Sequence, residues 1–169
     1  MKTRDPARFL GTIEFYPQEG KYHYDGHRKC GVVLSPREAI KLDNICPVCG
    51  KPLTIGVLHR IEDLADRSDG SATSIRPPYR SLVPLEEIIS QALGVGVKTK
   101  TVSREYTRLI EECGDEFRIL LDLPQEELEG HVPSRILAGI MHVRSGNVEI
   151  TPGYDGVYGQ VRIPLNGDS

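Results

Sequence analysis

Apolar and polar positions along this chain change their spacing twice. Up to residue 66 the apolar residues come in short strand-like runs, Gly11 to Phe15, Gly31 to Leu34 and Leu53 to Leu58, divided by glycine-rich turns. Between the last two runs, Ser35-Pro36-Arg37-Glu38 has the pattern of a capping box with Pro at the first helical position, which predicts a short helix over Pro36 to Leu42. A further helical turn or two is expected over Arg60 to Asp66. Residues 67–83 begin small and polar and carry Pro77-Pro78, the texture of a linker or a surface crossing.

From residue 84 the spacing becomes helical. Pro84 to Leu93 opens on Pro and early acids and stops at Gly94; Ser103 to Cys113 follows and stops at Gly114. Pro124 to Leu128 and Pro133 to Val143 read as two more helices, the second ended by Gly146, whereas Phe117 to Leu121 fits strand or buried helix equally well. The tail from Val148 to Ile163 alternates around a glycine-rich centre, the pattern of a hairpin that returns to the first region. The expected fold class is therefore α+β: a small strand-rich module over 1–66, a linker over 67–83, and a helical region with a C-terminal β-hairpin over 84–169.

Composition adds one constraint. Hydrophobic residues make up 38% of the 169, with no Trp and three Phe, which is lean for a self-sufficient core and leaves room for a metal staple. The net charge of −3 argues against a strongly basic wrapper of nucleic acid; the cationic surplus, such as it is, lies in the first 65 residues. No apolar run has the length of a membrane span, and no membrane partner is expected. Four cysteines in this arrangement suit a reducing compartment, so a cytoplasmic protein is expected.

The chemistry is concentrated in two knuckles. His27-Arg28-Lys29-Cys30-Gly31 is followed by Cys46-Pro47-Val48-Cys49-Gly50, each with two residues between ligands and a glycine straight after. Two intervening residues let both side chains reach one ion from a tight turn, and the glycine takes the dihedrals that turn needs. Three thiolates and one imidazole make a closed tetrahedral set, so His27, Cys30, Cys46 and Cys49 are expected to hold a structural Zn2+ in a zinc-ribbon-like module. His23 and His59 compete with His27 for the fourth position. Cys113 belongs in a helix and reads as a core thiol.

The remaining constellations are weaker. Lys21, Tyr22, Tyr24, Arg28 and Lys29 mix cations with rings just ahead of and within the first knuckle, a combination that suits phosphates and bases and equally suits a turn packed around the metal. Tyr154 and Tyr158 flank Asp155-Gly156 and fit either a base-contacting loop or packing tyrosines of a turn. Paired acids at 86/87, 111/112 and 126/127 read as solvated helix faces. No Walker loop, Gly-x-Ser-x-Gly or His-Glu-x-x-His occurs, and no catalytic residue is expected in this chain.

Several long strings carry a family resemblance: Ile13 to Pro17, Gly20 to Gly31, Cys46 to Thr54, Gly56 to Arg60, and Pro152 to Gly159. Together they resemble the part of endonuclease Q and its relatives that follows the catalytic domain, a match running from about Gly11 to Ile163. Related bacterial proteins are often labelled UvrD-type helicases, although no helicase motif is present here. The resemblance implies a DNA-repair nuclease acting on deaminated bases such as uracil and hypoxanthine, whose polymerase-and-histidinol-phosphatase (PHP) domain supplies the catalytic metal ligands. Met1 opens almost directly onto the zinc region, so a PHP domain is expected as a partner in cis or in trans. What carries over is a non-catalytic role in holding damaged DNA; the acidic helical half suggests, as the alternative, an adaptor that docks a separate catalytic subunit.

Overall fold

The computed structural model describes residues 9–65 and 78–165, and these cluster into two units. One contains the described residues up to Arg80 together with Ile150–Gln160; the other contains Ser81–Glu149 and the stretch from Val161. Among the described residues no helix is long and apolar enough to cross a membrane.

The first unit is built from short elements. Strand β1 (Thr12–Glu14) pairs with β4 (Tyr79–Ser81), and β2 (Asp25–His27) pairs antiparallel with β3 (Val32–Leu34) in the register Asp25 to Leu34. A 3-10 turn, Arg28–Cys30, joins β2 to β3. Helix α1 (Pro36–Lys41) carries the expected capping box, with Glu38 accepting both the amide and the hydroxyl of Ser35. Apolar burial here is slight, Ala39, Cys46 and Leu53 with Cys30, Val32 and Leu34 against them. Two of those six residues are predicted metal ligands. A core this small needs a cross-link to be stable.

The run Leu53 to Leu58 is not a strand. Only Thr54 bridges, to Gly26, and helix α2 (Val57–Leu64) starts three residues before the helical turn expected at Arg60. The cause is tertiary. The Val57 and Leu58 amides, orphaned at a helix start, donate to the carbonyls of Tyr22 and His23. Gly56 lies so close to the backbone of Tyr24 that a Cβ there would stand 2.5 Å from it. Residues 67–77 of the expected linker lie outside the described residues, and its end carries β4.

The second unit is helical. Helices α3 (Leu85–Leu93), α4 (Lys100–Cys113), α5 (Gln125–Glu129) and α6 (Ser134–Ser145) pack with α3 between α4 and α6, and with α5 on α6. Their core is Leu85, Ile88, Ile89, Val102, Leu109, Leu128, Ile136 and Ile140, all fully buried. Gly94 and Gly146, in left-handed conformations, end α3 and α6 as expected. The ambiguous run after Phe117 is a π-helical turn, Arg118–Asp122, burying Ile119 and Leu120. The Arg144 guanidinium fixes that turn by donating to the carbonyls of Ile119, Leu120 and Leu123 at 2.6–3.1 Å. Cys113 is buried, and burial raises its thiol pKa, as befits a core thiol.

The tail is a hairpin. Strand β5 (Glu149–Thr151) pairs with β6 (Gln160–Arg162), and between them Tyr154 and Val157 exchange both backbone hydrogen bonds around Asp155-Gly156. Asp155 and Gly156 both have positive φ, 41° and 85°, as a two-residue type I′ connection requires.

Candidate metal centre and nucleic-acid interface

Each knuckle is closed by a glycine in the left-handed region, Gly31 at φ 65° and Gly50 at φ 69°. Nothing lies within 4 Å of a Cβ built on either, so the dihedral and not crowding calls for glycine. The Gly31 amide donates to Arg28 O and the Gly50 amide to Cys46 O, tightening both turns. His27, on β2, and Cys30, ending the 3-10 turn, thereby face Cys46 and Cys49.

The ligand atoms of His27, Cys30, Cys46 and Cys49 all lie within 4.8 Å of one another, with His27 Nδ1 3.3 Å from Cys49 Sγ. A tetrahedral zinc with bonds of about 2.1–2.3 Å needs ligand separations of roughly 3.5–3.8 Å, which this cluster reaches with small adjustments. The cysteines are free, so the sulfurs are available as thiolates. Burial first, then the neighbouring Cys49 and Cys46 thiols, push Cys30 up to about 11. Burial acts the same way on Cys46, but the amides of Val48 and Cys49 and the His27 ring outweigh it and bring that thiol to about 6. Amides aimed at sulfur are how a knuckle stabilises a thiolate. The donor set fits one metal ion.

His59 is not in the cluster. Its Nδ1 meets Asp25 Oδ2 at 2.5 Å, and Asp25 Oδ1 accepts the Gly56 amide at 2.6 Å. Asp25 is 0% exposed and His59 6%. A buried carboxylate requires such partners, and this one ties the start of α2 to β2. His23 stacks on Tyr24 at 5.4 Å and is likewise outside the cluster.

The hairpin tip is fastened to the first knuckle. Asp155 Oδ2 accepts the Arg28 amide and Oδ1 the Thr54 hydroxyl, both at 2.6 Å. The Gly156 amide donates to Lys21 O, the Tyr24 amide to Gly153 O, and the Gly153 and Gly159 amides to Gln18 O and Glu19 O. Gly153 and Gly159 sit so tightly among carbonyls that no Cβ fits. The alternation of the tail announces a hairpin returning to the first region; the individual hydrogen bonds that fasten it there join residues far apart in sequence and have no local signal.

The seven residues singled out for nucleic acid divide by exposure. Tyr24 and Tyr154 are half-buried; a Cβ on Gly26 would stand 2.5 Å from the Tyr154 ring, so that tyrosine packs on β2. Lys21, Tyr22, Arg28, Lys29 and Tyr158 are exposed. The fold brings Tyr158, 69% exposed, to the same ammonium as Tyr22, 44% exposed: Lys21 Nζ is 5.5 Å from the Tyr22 ring centre and 5.8 Å from that of Tyr158. These three, with Pro17, Val57 and Ile61, line an open groove of about 670 Å³. An ammonium beside two rings and an apolar wall suits a ligand with both an anionic and a flat aromatic part.

Residues 84–147 match the family described as the MJ0043 C-terminal domain. The chain is 36% identical over 156 residues to the uncharacterised protein MJ0043 of Methanocaldococcus jannaschii, covering 91% of this chain and 19% of that protein. It is 29% identical over 163 residues to YqxK of Bacillus subtilis, covering 96% and 38%. Two solved structures, the lesion-specific endonuclease PfuEndoQ of Pyrococcus furiosus and an endonuclease Q complex with a 27-mer duplex bearing an abasic lesion, superpose with TM-scores of 0.79 and 0.75. Both are 36% identical and match 92% of this chain and 39% of theirs. The chain thus spans between a fifth and two fifths of the proteins it matches. In sequence and in fold, over 92% of its length, it is similar to endonuclease Q.

Proposed function

We propose that this chain is the DNA-binding, zinc-containing portion of an endonuclease Q-like repair nuclease that acts on deaminated bases, and that it does not cut DNA by itself. The observation that carries the reading is the likeness, over nearly the whole chain, to a protein solved on a lesion-bearing duplex. Beside it stands the exposed group of Lys21, Tyr22 and Tyr158, with Arg28 and Lys29 on the adjoining knuckle. The cations neutralise phosphates, and the rings stack on bases that a lesion leaves poorly paired. His27, Cys30, Cys46 and Cys49 hold a structural Zn2+; it fixes the knuckle that carries Arg28 and Lys29 and leaves no open position for a reacting water. Cutting belongs to a PHP domain supplied in cis or in trans.

The test is a titration of the full chain, at low salt, with duplexes that are undamaged or carry uracil, hypoxanthine or an abasic site. Weak, salt-sensitive binding that favours the lesion duplexes is expected, lost on Lys21→Ala and Tyr158→Ala, with no nicking. No binding to any duplex would move recognition out of this chain and leave the adaptor reading.

A further inference from the structure

The three cysteines of the metal cluster differ in how far solvent reaches them. Cys46 is buried, Cys30 is half-buried, and Cys49 is exposed between exposed Val48 and Gly50. The knuckles themselves, His27 to Gly31 and Cys46 with the residues up to Lys51, contain the cations Arg28, Lys29 and Lys51 and no carboxylate. An exposed sulfur among cations is the setting in which a thiolate reacts with oxidants, whereas a sulfur buried among apolar groups is inert. Cys113, buried in the helical unit, is the inert case in the same chain.

Cys49 also has a second sulfur within reach. The donor atoms of the cluster lie within 4.8 Å of one another, and rotation of two side chains can close such a gap to an S–S bond of about 2.05 Å. Of the two candidate partners, Cys46 belongs to the small core with Ala39 and Leu53, and its amide and carbonyl are engaged by Lys51 and Gly50. Cys30 ends a 3-10 turn, packs against the edge of that core, and is the more open of the two. The open pair is therefore Cys49 and Cys30, one from each knuckle.

We propose that the cluster is a redox switch: hydrogen peroxide enters at Cys49, and a disulfide between Cys49 and Cys30 takes the place of the metal. The proposal rests on the metal-binding reading above. The Cys49 thiolate attacks one peroxide oxygen; an S–O bond forms, the O–O bond breaks and hydroxide leaves, giving a sulfenic acid. The Cys30 thiolate then attacks that sulfur, the S–S bond forms, and the sulfenic oxygen leaves as a second hydroxide. Each of the two sulfurs has given up one electron, and peroxide has taken up both. His27 and Cys46 remain, half of the donor set that a closed structural site requires, and the ion is lost. The first unit then loosens with Arg28 and Lys29 on it, because its apolar core is small, while the helical unit keeps a core of its own.

The test begins with zinc content: a full chain that holds no zinc after reconstitution overturns the metal-binding reading and the switch with it. The zinc-loaded chain is then treated with peroxide beside a chromogenic zinc chelator, against a control without peroxide. Zinc release should keep pace with the loss of two of the four thiols. Peptide mapping should find Cys30 linked to Cys49, and dithiothreitol with added zinc should reverse both changes. Residues 25–50 should lose protection from hydrogen exchange while α3 to α6 keep theirs. Cys49→His retains four donors without the exposed sulfur and should release zinc roughly tenfold or more slowly, whereas Cys113→Ser should behave as the parent does. If Cys49→His takes up no zinc, the parent's map decides, since any link other than Cys30 to Cys49 overturns the proposal. Zinc and thiols retained under peroxide, or release from zinc-loaded Cys49→His at the parent's rate, would overturn the switch and leave the metal-binding reading standing.

Discussion

Asp155, at the turn of the C-terminal hairpin, accepts the backbone amide of Arg28 at 2.6 Å, across 127 residues of sequence. Arg28 follows the knuckle residue His27, and Asp155 opens the type I′ turn of the tail. The bond makes the tail part of the metal module rather than an appendage. Thr54, through its hydroxyl, completes the clasp.

Removing the clasp should loosen the first unit. Asp155→Ala leaves the Arg28 amide and the Thr54 hydroxyl without their charged acceptor, a loss of about 1.5–3 kcal/mol. Differential scanning calorimetry of the metal-loaded protein should show a lower first transition, with α3 to α6 melting as before.

The same carboxylate gives a pH signature. The Thr54 hydroxyl, then the Arg28 amide, hold Asp155 below its ordinary value, against the opposing effect of burial. A depressed folded-state pKa contributes stability above the unfolded value of about 4 and loses it as pH falls through the folded value. The stability gap between the parent and Asp155→Asn should therefore be full at pH 7 and close only below about pH 4. The comparison is made at each pH between the two proteins, because acid also releases a thiolate-bound metal.

Metal removal should act on one unit. With so few apolar residues around Ala39, Cys46 and Leu53, a strong chelator or Cys46→Ser should unfold the region of β2, β3 and α1. Most of the helix lies in the other unit around Ile88, Leu109 and Ile136, so far-UV circular dichroism should keep most of its helical signal. The amides of residues 25–50 should meanwhile lose protection from hydrogen exchange.

Asp25 and His59 predict a larger effect. Asp25→Ala strips a buried histidine and the Gly56 amide of their shared acceptor, and about 3–5 kcal/mol of stability should go with it. Chemical denaturation followed by tyrosine fluorescence measures the loss. Metal stoichiometry, read by a metal-release assay in the folded protein, should match that of the parent, since neither residue belongs to the ligand cluster.

In the helical unit α6 passes close to α3 at Gly139, where a Cβ would stand 2.8 Å from Ile88 Cγ2. Gly139→Val should overpack that contact and cost about 1–3 kcal/mol in thermal unfolding, whereas Gly96→Ala, whose Cβ would meet only Thr99 Cγ2 at an ordinary 3.8 Å, should cost less.

Some of this was written in short stretches of sequence. The two knuckles, the capping box at Ser35, the stops at Gly94 and Gly146 and the Asp155-Gly156 turn each depend on residues within a few positions of one another. Their physics is local: one dihedral, one cap, one two-residue spacing. The sequence also marked Cys30, Cys46 and Cys49 as a set, through the matched two-residue spacing and the glycine after each knuckle.

What only the tertiary structure decided depends on distant partners. His27 rather than His59 completes the cluster because Asp25 takes His59 as its buried partner. Helix α2 begins at Val57 because its first amides find the carbonyls of Tyr22 and His23, which no period in residues 53–58 announces. Tyr158 stands beside Lys21 because the tail folds back through Gly153 and Gly159. Spacing fixes which residues a turn can join; which turns then meet is set by burial and by where orphaned polar groups find acceptors, and those are properties of the whole fold.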